Sequence, residues 1–167
     1  MMRRLVAMCV LVLVLGGGLA STAAAQGTVF LVRHAERADD ANAGPKMTGT
    51  DPDLSGQGVL RAQALARTLK DAKITAIYTT EYKRTRQTAA PLATALGVQV
   101  TEVPSKDLPG LFQKVRTAPG NVLVVGHSNT VPAVIKELGV AESVSIAETE
   151  YDNLFVVTKG TLIRLRY

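Results

Sequence analysis

Histidine is scarce in this chain and cysteine scarcer: 167 residues hold two histidines, His34 and His127, and one cysteine, Cys9. Cys9 falls in a leader-like stretch. Met1-Met2-Arg3-Arg4 is a basic start, Leu5 to Leu15 an apolar block, and Ala23-Ala24-Ala25 a small-residue cleavage site. Cleavage before Gln26 leaves residues 26–167 without cysteine, which excludes disulfides and thiolate chemistry there and suits an oxidising compartment. A long apolar run is missing too, because Gly16-Gly17-Gly18 interrupts the block well short of the roughly 20 residues a membrane span needs. The expectation is a secretory signal peptide over 1–25, one domain over 26–167, no stable membrane span after cleavage, and a periplasmic or secreted product.

Basic runs are likewise absent. The chain carries 19 basic and 14 acidic side chains, a net charge of +5, and losing Arg3 and Arg4 lowers that to +3. No basic cluster or basic-aromatic alternation accompanies this mild excess, so nucleic acid is not an expected partner. No internal repeat, low-complexity tract or second linker divides residues 26–167.

What is present begins with Val29-Phe30-Leu31-Val32-Arg33-His34-Ala35-Glu36-Arg37, an apolar run that reads as a buried strand and ends in two arginines flanking a histidine. Guanidinium forks suit a tetrahedral oxyanion such as phosphate, and an imidazole between them can attack phosphorus or take up a proton. The second histidine sits alike, at the end of Val122-Leu123-Val124-Val125-Gly126-His127. Ile74–Thr79 reads as a further strand, with Lys83, Arg84 and Arg86 beyond it at a helix start. Cations there oppose the helix dipole, a conflict that a bound anion resolves, which makes Arg84 an anion-binding candidate.

Between these strands lie helical patterns. Ser55 is a plausible N-cap for a helix with Leu60, Ala64, Leu65 and Leu69 on one face, after a polar loop over 38–53. A second helix follows Thr88, carries Ala89, Leu92, Ala93 and Leu96, and stops at Gly97. A short strand is expected over 98–103, then helices with Leu108, Leu111, Phe112 and Val115 and with Val131, Val134, Ile135 and Leu138 on one face. Tyr151–Thr158, Lys159-Gly160 and Thr161–Tyr167 read as a closing hairpin. Strands alternating with helices predict an α/β fold: a mostly parallel sheet covered on both faces, with ligands at the carboxyl ends of its strands.

Two rival chemistries fail on what they lack. His34-Ala35-Glu36 matches half of a zinc deaminase signature whose Pro-Cys-x-x-Cys partner cannot exist without cysteine. Gly126-His127-Ser128-Asn129-Thr130 resembles a nucleophile elbow, but Thr130 replaces the second glycine and no histidine follows Ser128. A metal held by both histidines and a carboxylate stays open as an alternative, although the surrounding guanidinium groups would repel a divalent cation.

Three separated motifs, Arg33-His34-Ala35-Glu36-Arg37, Arg84-x-x-Gln87-Thr88-Ala89 and Gly126-His127, together with Leu54-Ser55, Gly58 and Ala62, resemble the histidine phosphatase (phosphoglycerate mutase-like) superfamily across residues 26–167. The resemblance implies a three-layer α/β/α fold and a metal-free, cofactor-free phosphatase acting on small phosphorylated substrates. His34 would be the phosphorylated nucleophile, and Arg33, Arg37, Arg84 and His127 the phosphate pocket, His127 adding a positive donor when protonated. The family also needs a general acid, for which Asp107 falls at the expected place with Glu102 as competitor. Mutase insertions are lacking, so hydrolysis of phosphomonoesters or phosphoramidates is expected. A phosphate-ligand binding module that has lost turnover is the alternative.

Overall fold

The computed structural model describes residues 27–40 and 51–167. The expected signal peptide, Gln26 and most of the polar loop over 38–53 lie outside those residues. Along the chain run β1 (Val29–Arg33), α1 (Gly56–Leu69), β2 (Ile74–Thr79), α2 (Lys83–Leu96) and β3 (Val100–Glu102). There follow α3 (Leu108–Thr117), β4 (Asn121–Gly126), α4 (Thr130–Glu137), β5 (Asn153–Thr158) and β6 (Thr161–Arg166).

The strands form one sheet in the order β3-β2-β4-β1-β5-β6. β1, β4, β2 and β3 are parallel, while β5 pairs antiparallel with both β1 and β6. β1 therefore has a neighbour on each side and a helix layer on each face, which is why its sequence is apolar without alternation. Val29 and Leu31 join one core with Leu111 and Val115 of α3 and Val131, Val134 and Ile135 of α4. Val32 faces the other core, beside Leu65 and Leu69 of α1 and Leu92 of α2. The expected three-layer α/β/α architecture is thus present, with an antiparallel hairpin closing one edge. That hairpin turns on Lys159 (φ 48°) and Gly160 (φ 75°), the left-handed pair of a two-residue turn.

Helix faces differ in detail from the expected stripes. On α1, Leu60 is 64% exposed, and the buried face runs Gly58, Ala62, Leu65, Leu69. The helix is rotated by backbone contact at its start: a Cβ on Gly58 would sit 2.2 Å from the Glu36 carbonyl oxygen, so only glycine admits this approach. Ser55 is the N-cap, accepting from Gly58 N at 3.1 Å. α2 begins at Lys83, so Lys83, Arg84 and Arg86 stand at a helix start as expected, and Thr85 and Thr88 are buried and hydrogen-bonded along its first turns. β3 is only three residues long. Among the described residues no helix is long and apolar enough to cross a membrane.

Candidate active site

Parallel pairing of β1 with β4 sets Arg33 opposite Gly126, so the residues just past each strand, His34 and His127, emerge side by side. His34 N donates to Gly126 O at 2.9 Å, and the two imidazole rings lie 5.4 Å apart at 65°. Burial, reinforced by His127 and the neighbouring arginines, pushes the His34 pKa down to about 3. The ring is therefore neutral at physiological pH and carries one proton. Its Nδ1 lies 2.8 Å from the Ala35 carbonyl, which can only accept, so that proton sits on Nδ1 and the Nε2 lone pair is free.

His127 is also held neutral, its pKa pushed down to about 4 by burial and then by Arg84. The expected positive donor depends on a protonated His127, and burial among guanidinium groups disfavours that proton. Its Nε2 is hydrogen-bonded with the Thr80 hydroxyl at 3.0 Å. Tyr82 packs edge-on against the ring at 5.4 Å.

Arg33, Arg37 and Arg84 line the same cavity of about 370 Å³ as both histidines, at the carboxyl ends of the parallel strands. Arg33 is 4% exposed. Its two terminal nitrogens donate to Ala147 O at 2.9 Å and to Glu148 Oε2 at 2.8 Å, and its guanidinium lies 4.3 Å over the Tyr151 ring. Arg84 stacks 4.2 Å over Tyr82 and comes only within 3.7 Å of Asp51. Arg37 pairs with Asp39 at 2.9–3.0 Å, its Nε in poor hydrogen-bond alignment. Nε of Arg33 and of Arg84 is buried with no acceptor among the described residues. An unmet buried donor costs about 1–3 kcal/mol, a cost that an arriving oxyanion relieves.

The remaining motif residues hold this cluster in place. Thr88 Oγ1 accepts from Ala35 N at 2.9 Å and donates to Arg84 O at 2.7 Å, tying the histidine loop to α2. Gln87 accepts from Leu54 N and donates to Asp53, both at 2.8 Å. Glu36 forks onto Arg61, with contacts of 2.6 and 2.9 Å.

The two acid candidates are not brought into the site. Asp107 caps α3, its Oδ1 accepting from Gly110 N at 3.0 Å, and Glu102 pairs with Arg86 at 3.1 Å on the surface. Asp107 precedes Leu108-Pro109-Gly110, so a capping signal stood in the sequence beside the catalytic one. Sequence reasoning missed Thr80, Tyr82, Glu148 and Tyr151. Tyr151 donates to Asp40 Oδ2 at 2.7 Å, and Asp40 also accepts from Arg37 N at 2.7 Å, so the loops carrying Arg37 and Glu148 are fastened together. No local motif marks these residues; the sheet order alone brings them beside β1.

Residues 29–105 match the histidine phosphatase superfamily (branch 1). The fold is similar to that of the protein histidine phosphatase SixA solved with tungstate, with a TM-score of 0.62 and 21% identity over 83% of this chain and 94% of that one. It is similar to a mycobacterial glucosyl-3-phosphoglycerate phosphatase, with a TM-score of 0.58 and 16% identity over 78% and 89%. A phosphohistidine phosphatase SixA from Agrobacterium tumefaciens gives 0.53 and 23% over 78% and 90%. No curated protein sequence matches the chain.

Proposed function

We propose that the chain is a member of the histidine phosphatase superfamily, whose family model matches residues 29–105, and that it is an exported, metal-independent phosphatase for small phosphomonoesters or phosphoramidates. The observation that carries this reading is the pairing of a neutral His34 with arginine Nε groups, where neither the His34 Nε2 nor those Nε atoms have a partner among the described residues. In the first step His34 Nε2 attacks phosphorus, the bond to the leaving oxygen or nitrogen breaks, and that atom takes the electron pair and a proton. Water then attacks the phosphohistidine, the P–N bond breaks, and His34 recovers its lone pair as orthophosphate leaves. Charge stays on the phosphoryl oxygens throughout, where fixed guanidinium donors do the work a metal would otherwise do. SixA, to which the fold is similar, was solved with tungstate, another tetrahedral oxyanion.

The test is phosphate release from p-nitrophenyl phosphate by the purified protein. Turnover is expected to survive EDTA, to stop with vanadate and to vanish in His34→Ala. Export is tested by the N-terminal residue and compartment of the protein recovered from its own cells: Gln26, outside the cytoplasm, is the expected result.

A second reading, a phosphate-ligand binding module, is favoured by one observation: Asp107 and Glu102 are both engaged away from the cavity. Vanadate binding without turnover on any phosphoester or phosphoramidate would decide for it.

A further inference from the structure

All 14 carboxylates of this chain lie among the described residues, since positions 1–26 and 41–50 contain neither Asp nor Glu. Of the 14, one lines the cavity that holds His34: Glu148. The others nearby are committed elsewhere. Asp39 and Asp40 face Arg37, Asp51 faces Arg84, and Glu81 takes both the amide and the hydroxyl of Ser105 at 2.7–2.8 Å. We propose that Glu148 is the general acid of the site: it delivers the proton to the leaving group and takes one from water in the second step. This rests on the phosphatase reading and assigns to a residue of the α4–β5 loop the role expected of Asp107 or Glu102.

The geometry suits the role. Glu148 bridges the mouth of the cavity, with Oε2 2.8 Å from Arg33 and Oε1 accepting from Ser128 Oγ at 2.9 Å, yet its side chain is 79% exposed. It also lines the adjoining cleft of about 610 Å³, which meets the phosphate cavity at Arg33, Arg37 and Glu148 and offers room for a leaving group. The turn that carries it is rigid. Glu150 N donates to Ala147 O, Ala147 N donates to Glu150 Oε2, and Arg164 and Arg166 of β6 both grip Glu150 Oε1.

A phosphate entering the cavity competes with Oε2 for Arg33 and leaves two anionic groups side by side, an arrangement that holds a shared proton. A monoester binding as its monoanion brings that proton with it, because the second phosphate pKa is about 6. As His34 Nε2 bonds to phosphorus, the P–O bond to the leaving group breaks and its oxygen takes the proton from Glu148, giving a free alcohol, a phosphohistidine and a carboxylate. In hydrolysis the carboxylate takes one proton of the attacking water, the P–N bond breaks, and orthophosphate leaves with the original charge balance restored.

The test compares Glu148→Gln and Glu148→Ala with wild type on p-nitrophenyl phosphate, whose leaving group needs no proton, and on glycerol 2-phosphate, whose leaving group does. The ratio kcat/KM, which reports the steps up to departure of the leaving group, is expected to fall about 100-fold or more, the span general acid catalysis normally covers, for the alkyl ester in both variants and far less for the aryl ester. The kcat falls for both because they share the hydrolysis step. Equal losses of kcat/KM on the two esters, or no loss of kcat/KM on the alkyl ester, would overturn the assignment. A wild type that turns over neither ester, with folded protein shown by circular dichroism, would instead overturn the phosphatase reading and this assignment with it.

Discussion

Two arginines, Arg61 half-buried and Arg33 buried, each meet a glutamate at nearly the same distance, Arg61 on Glu36 at 2.6 Å and Arg33 on Glu148 at 2.8 Å, and they differ in what is left over. Glu36 is 8% exposed and takes Nε and a terminal nitrogen of Arg61, whose other terminal nitrogen donates to Tyr167 O at 3.2 Å. Each nitrogen of that guanidinium is engaged, and the pair locks α1 to the segment after β1. Arg33 is more deeply buried, yet its Nε is unmet and its glutamate stands in solvent. One pair is closed and the other is held open. A guanidinium with every nitrogen engaged is architecture; one with an unmet Nε is the anion receptor proposed above.

Breaking the open pair should cost activity first. Arg33→Ala is expected to lower kcat/KM for p-nitrophenyl phosphate by about 1,000-fold, the low end of what an arginine on a transferring phosphoryl group supplies. Vanadate affinity should fall with it, and unchanged kinetics would reduce Arg33 to a structural role. Breaking the closed pair should cost stability instead. Glu36→Ala strands a buried guanidinium and should lower unfolding free energy by about 2–3 kcal/mol in urea titrations, below the usual 3–5 because Arg61 is 20% exposed. Activity per folded molecule should stay near wild type; a Glu36→Ala protein as stable as wild type would erase the contrast.

The histidines sharpen the comparison through pH. In the unfolded chain each titrates near 6.5, and in the fold near 3 and 4. Above about pH 6.5 neither state binds the proton and stability is unaffected. As pH falls from there toward 4, the unfolded chain gains protons that the folded chain refuses, so stability declines. His34→Gln should decline less across that window, and ring resonances of both histidines should show no titration between pH 5.5 and 8. The smallest effect is expected at Ser128→Ala, which removes one bond to an exposed carboxylate: within about 0.5 kcal/mol in stability, with p-nitrophenyl phosphate turnover unchanged.

The architecture was legible because its signals are local. β1 and β4 read as strands because both faces of each are covered, and a histidine just past each one revealed the site's position. Arg84 was legible as a cation placed against a helix dipole. The acid was not. A carboxylate in a loop looks alike whether it caps a helix, as Asp107 does, or faces a cavity, as Glu148 does, and 115 residues separate Glu148 from the arginine it meets. What brings them together is β5 lying beside β1, a pairing that no periodicity encodes. The face of α1 was misread for a related reason: its rotation is set by Gly58 against Glu36 O rather than by the tally of apolar residues.

The order of the sheet also has a consequence in time. A chain made from its N-terminus completes β1 early, but both strands that flank it, β4 and β5, are made last but for β6. Until residue 126 has been made, Val29–Arg33 has no neighbour, and His34 has neither Gly126 O for its amide nor His127 for its cavity. Closure over such a long sequence separation is slow, and an unpaired apolar strand invites aggregation meanwhile. His34 is therefore among the first groups of the domain to be synthesised and among the last to reach its folded surroundings.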